Sequence, residues 1–211
     1  MKLQAALDFF NLEEALNLMK IIHPYVDIAE IGTPLMLSEG FRAVSEMKRL
    51  YPNIDVLADI KLMDGGRPIA GAAFDAGADI VTVLGVTNNF TISGAVSAAQ
   101  ERSCKSVCVD TIGVVDLAKR TKELESLGAD FIAVHTAHDL LGCVSTPIEA
   151  LKVIKENLST QNCKSVISGG ITPEAMPEIV TVSPDVVIVG SGLTKAKDPL
   201  KVALTLKSFM S

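Results

Sequence analysis

Residues 56–66 read VLADIKLMDGG, an apolar run that carries Asp59 and Lys61 near its end and finishes in two glycines. Side chains alternate between the two faces of a β-strand, so Asp59 and Lys61, two residues apart, project to the same side. Burying opposite charges inside an apolar strand costs free energy unless something uses them. The stretch therefore predicts an active-site strand whose carboxylate binds a metal or polarises the lysine. A structural ion pair at a strand end is the alternative.

Short apolar runs rich in Val, Ile and Ala alternate with amphipathic segments along all 211 residues. Strict alternation of apolar strands with helices is typical of a parallel sheet covered by helices. The eight predicted strands are Leu3–Phe9, Asp27–Gly32, Ile54–Ile60, Asp79–Leu84, Lys105–Asp110, Asp130–Thr136, Lys164–Ser168 and Asp185–Gly190. The predicted helices cover 11–23, 36–51, 67–77, 89–102, 115–127, 147–158, 173–181 and 197–209.

A repeat runs through the even-numbered predicted strands, each of which opens with an aspartate. Asp27, Asp79, Asp130 and Asp185 follow one another at intervals of 52, 51 and 55 residues. A near-constant period of two strand–helix units is what a closed, pseudo-symmetric barrel produces. The sequence therefore predicts an α/β fold, a (β/α)8 TIM barrel that forms a single domain over residues 1–211. An open, doubly wound sheet is the alternative.

Composition limits the partners and the location of the protein. The net charge is −6, the pI is about 5.1, and no basic run occurs, which argues against a nucleic acid partner. The N-terminal segment carries acidic residues and no apolar run approaches the roughly 20 residues that span a bilayer, so we expect a cytoplasmic protein with no membrane partner. The four cysteines, Cys104, Cys108, Cys143 and Cys163, form no CxxC pair and are expected to be free.

Ionisable residues collect at the ends of the predicted strands, where TIM barrels carry their active sites. Glu30 and Asp59, from neighbouring strands, offer two hard oxygen ligands that suit Mg²⁺, although Glu30 pairing with Lys61 is an alternative. His135 ends a strand and is an acid–base candidate near neutral pH. The full predicted set is Asp8, Glu30, Asp59, Lys61, Asp110 and His135.

Two glycine turns follow the last two predicted strands. They read Ser168-Gly169-Gly170 and Gly190-Ser191-Gly192. Glycine lets backbone N–H groups approach a ligand, and many barrels bind phosphate after strands 7 and 8. The turns therefore predict a phosphate site, with plain chain reversals as the alternative. His138, in HTAHD, either lies over the mouth of the predicted barrel, where the strands end, or points to solvent.

The signature Asp-x-Lys-x-x-Asp is present as Asp59-Ile-Lys61-Leu-Met-Asp64. By it the chain is identified as a member of the orotidine 5′-monophosphate decarboxylase superfamily, and the likeness covers the whole chain. Within the superfamily it most resembles the hexulose-6-phosphate synthase branch. The supporting stretches are QAALD, EIGTPL, LADIKLMDGG, ADIVTVLG, VHTAHD and VIVGSGLTKAKDP.

The resemblance implies a lyase of the aldehyde-lyase type that joins formaldehyde to ribulose 5-phosphate, or catalyses the reverse, with Mg²⁺ and through a 1,2-enediolate. It also implies that Glu30 and Asp59 hold the metal and that Asp64 reaches into the neighbouring site of a homodimer. The implied catalytic residues are Asp59, Lys61, Asp64 and His135. The implied substrate-binding residues are Asp8, Asp110, His138, Ser168, Gly169, Gly170, Gly190 and Ser191.

Two other functions stay open at this point. The related 3-keto-L-gulonate 6-phosphate decarboxylases share the metal, the lysine and the enediolate, and carry arginine where this chain has His138 and Ser191. Synthases more often place Tyr and Gly there, so the chain departs from both patterns. A barrel that binds a sugar phosphate without catalysis is the third hypothesis, against which the intact ionisable set argues.

Overall fold

The computed structural model describes residues 1–135 and 147–210. Eight parallel strands form a closed barrel, in which each strand pairs with the next in the chain and β8 pairs with β1. The predicted TIM barrel is confirmed, and the open sheet is excluded. The strands are β1 Lys2–Leu7, β2 Ile28–Ile31, β3 Asp55–Leu62, β4 Ile80–Leu84, β5 Ser106–Asp110, β6 Phe131–His135, β7 Lys164–Ser168 and β8 Val186–Val189.

The helices cover the outside of the barrel, and two of them are additional to the eight predicted. The helix predicted over 36–51 is divided in two, because Gly40 adopts a φ of 59° that interrupts the helical path. A short unpredicted helix, α9, follows β8. The helices are α1 Leu12–Ile22, α2 Thr33–Glu39, α3 Phe41–Leu50, α4 Gly66–Asp75, α5 Asn89–Gln100, α6 Leu117–Ser126, α7 Pro147–Asn157, α8 Met176–Val182, α9 Ser191–Thr194 and α10 Pro199–Ser208.

In the part of the chain that the structure describes, no helix combines the length and the apolar character needed to cross a membrane. The described cysteines, Cys104, Cys108 and Cys163, are free, as predicted, whereas Cys143 lies outside the described residues.

Apolar side chains fill two layers, one inside the barrel and one between the barrel and the helices. The strands alternate between them: on β1, Leu3, Ala5 and Leu7 face the helices, and Gln4 lies on the inner face. The inner layer is small, so polar side chains at the ends of the inner rows open into the barrel mouth. It consists of Ile28, Leu57, Ile80, Cys108, Phe131, Ala133, Val166 and Val186.

The aspartate repeat has a structural cause at the opposite end of the barrel. Each repeated aspartate lies just before an even-numbered strand and binds one residue of the preceding strand twice. Its N–H donates to the carbonyl of that residue, and its carboxylate accepts the N–H of the same residue. The pairs are Asp27 with Leu3 (2.9 and 2.7 Å), Asp79 with Val56 (2.8 and 2.8 Å), Asp130 with Val107 (3.0 and 2.7 Å) and Asp185 with Ser165 (2.9 and 2.8 Å).

Two of these aspartates differ in charge compensation, which gives a stability prediction. Burial raises the pKa of Asp79, but the ammonium groups of Lys48 and Lys105, at 2.8 and 3.1 Å, and the Val56 N–H outweigh it, so that pKa lies below its usual value. Burial raises the pKa of Asp130 above its usual value, and the Val107 N–H only partly offsets this. Charge on Asp79 therefore stabilises the fold, whereas charge on Asp130 opposes it.

We expect Asp79→Asn to lower the free energy of unfolding at pH 7 by about 1 kcal/mol, because the carboxylate is partly solvated. Asp130→Asn should cost less or stabilise, since the amide keeps an acceptor for the Val107 N–H. The Asp79 contribution should be present above the unfolded pKa near 3.8 and be lost as the pH falls through its lower folded pKa. Urea unfolding between pH 3 and 7 measures both effects. An equal loss in the two variants at pH 7 would contradict this account.

Candidate active site

The barrel mouth encloses a cavity of about 400 Å³ that is lined by nearly all the residues predicted for the site. Of the predicted residues, Asp64 lies elsewhere on the surface, and His138 lies outside the described residues. The predicted residues that line the cavity are Asp8, Glu30, Asp59, Lys61, Asp110, His135, Ser168, Gly169, Gly170, Gly190 and Ser191.

The Lys61 ammonium lies between two carboxylates at the mouth. Its Nζ is 2.5 Å from Asp59 Oδ2 and 3.7 Å from Asp110 Oδ2. Burial lowers the pKa of Lys61, but the carboxylates of Asp59, Asp110 and Glu30 outweigh it and hold that pKa above its usual value. Lys61 is therefore charged at neutral pH, and the predicted projection of Asp59 and Lys61 to one side is confirmed.

Lys61 occupies an irregular stretch of β3. Ala58 pairs with Val81 and Leu62 pairs with Val83, so three residues of β3 face Thr82 alone. Lys61 itself adopts a φ of 42°, a left-handed conformation that costs a residue with a side chain about 1–3 kcal/mol. Strain of this size persists only where the surrounding structure fixes it, and it is concentrated at functional sites.

His135 and Asp110 form a hydrogen-bonded pair on neighbouring strands. His135 Nδ1 is 2.7 Å from Asp110 Oδ2, and Asp110 Oδ1 accepts the Ile112 N–H at 2.9 Å. Burial raises the pKa of Asp110, but His135, Ile112 and Lys61 together bring that pKa below its usual value. An ionised Asp110 only accepts, so Nδ1 carries the proton, and in the neutral ring Nε2 is left as an acceptor at the cavity.

The carboxylates of Glu30 and Asp59 are almost fully buried at the mouth. Glu30 accepts a 2.6 Å hydrogen bond from the Gln4 amide. Burial and the nearby charge of Asp59 raise the pKa of Glu30 to about 8. Asp59 accepts from Thr33 Oγ1 at 2.6 Å and from Thr82 Oγ1 at 2.8 Å. The predicted alternative, in which Glu30 pairs with Lys61, is wrong, because Glu30 binds Gln4 and the Lys61 ammonium binds Asp59.

This donor set fits a hard divalent cation. Glu30 and Asp59 place two coupled carboxylates in one cavity, with too little positive charge nearby to keep Glu30 ionised at neutral pH. Over residues 1–135 and 147–210, no group of three or more His, Cys, Asp or Glu side chains forms a complete metal cage. Mg²⁺ needs none, because it commonly takes one or two carboxylates and fills its other positions with water and substrate oxygens.

The two glycine turns lie side by side at the mouth, since β7 and β8 are neighbours. Gly169 and Gly170 both have positive φ, 109° and 65°, which favours glycine at each position. Asp8 packs beside them: a Cβ built on Gly190 would lie 3.2 Å from Asp8 Oδ2. Lys195, the residue that follows α9, also lines the cavity.

Asp64 lies in the loop after β3 and is exposed. Its Oδ1 accepts the N–H of Gly65 at 2.7 Å. The loop is tied to its neighbour, because Thr87 Oγ1 donates to the Met63 carbonyl at 2.6 Å. Arg120 of α6 in turn donates to the carbonyls of Gly85 and Thr87, at 2.7 and 3.0 Å. Asp64 is thus held on the rim.

Sequence reasoning missed several residues at the site. Gln4, Thr33 and Thr82 bind the buried carboxylates, and Lys195 adds a basic residue to the cavity lining. A usable signal was present for Gln4, because it lies four residues before Asp8 in the same apolar strand, and alternation places both side chains on one face. Threonine is an ordinary strand residue, so Thr82 gave none.

Comparisons with known proteins agree with this geometry. The profile of the orotidine 5′-phosphate decarboxylase / HUMPS family matches residues 1–206. A Bacillus subtilis (strain 168) protein named 3-hexulose-6-phosphate synthase is 44% identical over 210 residues, which is 100% of this chain and 99% of the relative.

Solved structures of a synthase and of a decarboxylase both match this chain over nearly its whole length. The crystal structure of 3-hexulose-6-phosphate synthase from Salmonella typhimurium has a TM-score of 0.94 at 42% identity, covering 100% of this chain and 98% of that one. The structure of 3-keto-L-gulonate-6-phosphate decarboxylase from Vibrio cholerae has a TM-score of 0.86 at 28% identity, covering 99% and 96%. This chain belongs to the orotidine 5′-phosphate decarboxylase / HUMPS family.

Proposed function

We propose that this protein is a 3-hexulose-6-phosphate synthase, an aldehyde-lyase that adds formaldehyde to ribulose 5-phosphate and catalyses the reverse cleavage. The observation that carries the choice is the ranking of the solved structures, 42% identity to a synthase against 28% to a decarboxylase. The charge arrangement at the mouth supports the chemistry, because the family resemblance implies an enediolate intermediate for both the synthase and the decarboxylase reactions.

Lys61 and His135 carry the chemical steps in this proposal. The Lys61 ammonium, fixed by Asp59 and Asp110, stabilises negative charge that develops on the enediolate oxygen. His135 takes the proton from C1 of the sugar phosphate at Nε2, because Asp110 holds its Nδ1 proton. The carbon nucleophile then adds to formaldehyde, and the protonated His135 returns a proton to the new hydroxyl oxygen.

Glu30 and Asp59 would hold Mg²⁺, which when bound supplies Lewis-acid stabilisation of substrate oxygens. Gln4 and Thr33 orient these carboxylates through the hydrogen bonds at 2.6 Å. The apolar inner layer of the barrel closes the cavity from below.

The phosphate of the substrate would bind at the glycine turns after β7 and β8. Gly169, Gly170 and Gly190 carry no side chain that blocks the backbone, and Lys195 supplies a positive charge. Asp8, between these turns and β2, would accept hydrogen bonds from substrate hydroxyls. Ser168 and Ser191 also line the cavity. A cytoplasmic location is part of the proposal.

The proposal includes a homodimer in which Asp64 completes the neighbouring site. Asp64 does not line its own cavity, and exposed apolar side chains occur on the loops and helices that follow β2 to β5. An exposed apolar face favours a protein interface. A two-fold dimer through this face would bring Asp64 to the neighbouring site. The exposed side chains are Leu37, Met63, Ile69, Val86, Phe90 and Val115, of which Leu37, Phe90 and Val115 are 83%, 91% and 100% exposed.

One assay tests the proposal. The purified protein is offered ribulose 5-phosphate with formaldehyde and, separately, 3-keto-L-gulonate 6-phosphate, each with and without Mg²⁺. We expect formation of hexulose 6-phosphate that requires Mg²⁺. Release of CO₂ as the only reaction would assign the decarboxylase instead. Phosphate-dependent binding of either sugar without turnover would assign a binding protein.

A further inference from the structure

The hydroxyl of Thr82 bridges the two residues at the centre of the site. Thr82, on β4, is buried, and its Oγ1 accepts the backbone N–H of Lys61 at 2.9 Å. The same hydroxyl donates to Asp59 Oδ1 at 2.8 Å. We propose that Thr82 is a positioning residue that sets the geometry of Lys61 and Asp59 for turnover. This inference rests on the proposed function and deepens it.

The bulge in β3 makes the first of these bonds necessary. Between Ala58 and Leu62 the pairing of β3 with β4 is interrupted, so three consecutive residues face Thr82. A buried backbone N–H that leaves the ladder needs another partner. The Thr82 hydroxyl is that partner for Lys61, and it holds Lys61 at its φ of 42°.

The second bond gives the bridge its direction. The Lys61 N–H only donates, and an ionised Asp59 carboxylate only accepts, so the hydroxyl proton must point to Asp59. Asp59 Oδ2 is occupied by the Lys61 ammonium and the Thr33 hydroxyl. Thr82 therefore fixes the other oxygen and with it the plane of the carboxylate. One hydroxyl thus couples the backbone of Lys61 to the orientation of Asp59.

The bridge predicts a specific ranking of variants at position 82. Thr82→Ser keeps a hydroxyl that both donates and accepts, whereas Thr82→Val keeps the shape and loses both bonds. Thr121 of α6 provides the matched control, since it is fully buried and its hydroxyl donates only to the Leu117 carbonyl, at 2.8 Å. Thr121→Val therefore removes a buried hydroxyl that has no link to the site.

We expect Thr82→Val to lower kcat about 10–100-fold, the usual effect of removing a partner that orients a ligand or catalytic group. KM for the sugar phosphate should change little, because the glycine turns lie elsewhere in the mouth. Thr82→Ser should restore most of kcat, and Thr121→Val should leave kcat unchanged. If Thr82→Val does not fold, Thr82→Ala against Thr82→Ser isolates the same hydroxyl.

A crystal structure of Thr82→Val supplies a readout that does not depend on activity. We expect Lys61 to leave the left-handed region and its ammonium to move from Asp59. If the wild-type protein lacks aldol activity, the proposed function fails, and this structural readout alone decides the role of Thr82. Wild-type kcat in Thr82→Val, equal losses in the Ser and Val variants, or an unmoved Lys61 would overturn the proposal.

Discussion

Lys61→Ala should lower kcat by about 10²–10³-fold, the usual loss when one preorganised charge is removed from a developing oxyanion. The ammonium acts where charge appears in the transition state, so KM for the sugar phosphate should change far less than kcat. Exchange of the C1 proton with solvent, followed by NMR without formaldehyde, isolates the step concerned. Lys48→Ala is the control. Lys48 also pairs with a half-buried aspartate, Asp79, at 2.8 Å, but it does not line the cavity.

The same variant tests the dimer when it is mixed with Asp64→Ala. If Asp64 acts across the interface, one site of a mixed dimer carries both lesions and the other carries none. Two inactive proteins should then regain about a quarter of wild-type activity after random subunit exchange, because half the dimers are mixed and each has one intact site. If activity does not recover although differently tagged subunits demonstrate exchange, Asp64 acts in the site of its own subunit. Rapid C1 proton exchange in Lys61→Ala would remove the role assigned to that lysine.

The sequence predicted the barrel and most of the mouth because two patterns agree, the alternation of side chains within each strand and the position of each strand end. Alternation within each strand fixes which residues face inward, and the strand ends fix which of these reach the mouth. Glu30 on β2 and His135 at the end of β6 were placed in this way. The aspartate repeat predicted closure, and the structure adds its cause, since each aspartate binds one residue of the preceding strand at two points.

The rest depends on local geometry that leaves no periodic trace. The bulge in β3 carries neither Gly nor Pro, so nothing in the sequence predicted it. The apolar run predicted a strand over Ile54–Ile60, and the strand continues to Leu62. Thr82 resembles any strand threonine until the bulge is known. The break between α2 and α3 did carry a signal, Gly40, but the apolar pattern continues across it and favoured one helix.

Glu30 and Asp59 should prove to be the metal ligands, a prediction that direct binding can test apart from turnover. Glu30→Gln and Asp59→Asn should weaken Mg²⁺ binding by at least the ~100-fold that loss of a partner outside the ligand shell can cost. Titration calorimetry with Mg²⁺, or electron paramagnetic resonance with Mn²⁺ as a probe, measures this affinity. Activity should fall in parallel, and both variants should stay folded because the two carboxylates lie at the cavity and not among the apolar core residues.

Asp110→Asn is the matched control, because Asp110 is also a buried carboxylate beside Lys61 but is committed to His135 at 2.7 Å. Its loss should reduce turnover through His135 while Mg²⁺ affinity stays near the wild-type value. Comparison of Asp110→Asn with Asp59→Asn thus separates the effect of losing a negative charge near Lys61 from the effect of losing a metal ligand. Equal weakening of Mg²⁺ binding in Asp110→Asn and Asp59→Asn would mean that the metal responds only to the net charge of the mouth. Full activity of the wild-type protein in excess chelator would remove the metal from the reaction, and Asp59 would then serve to hold Lys61 charged.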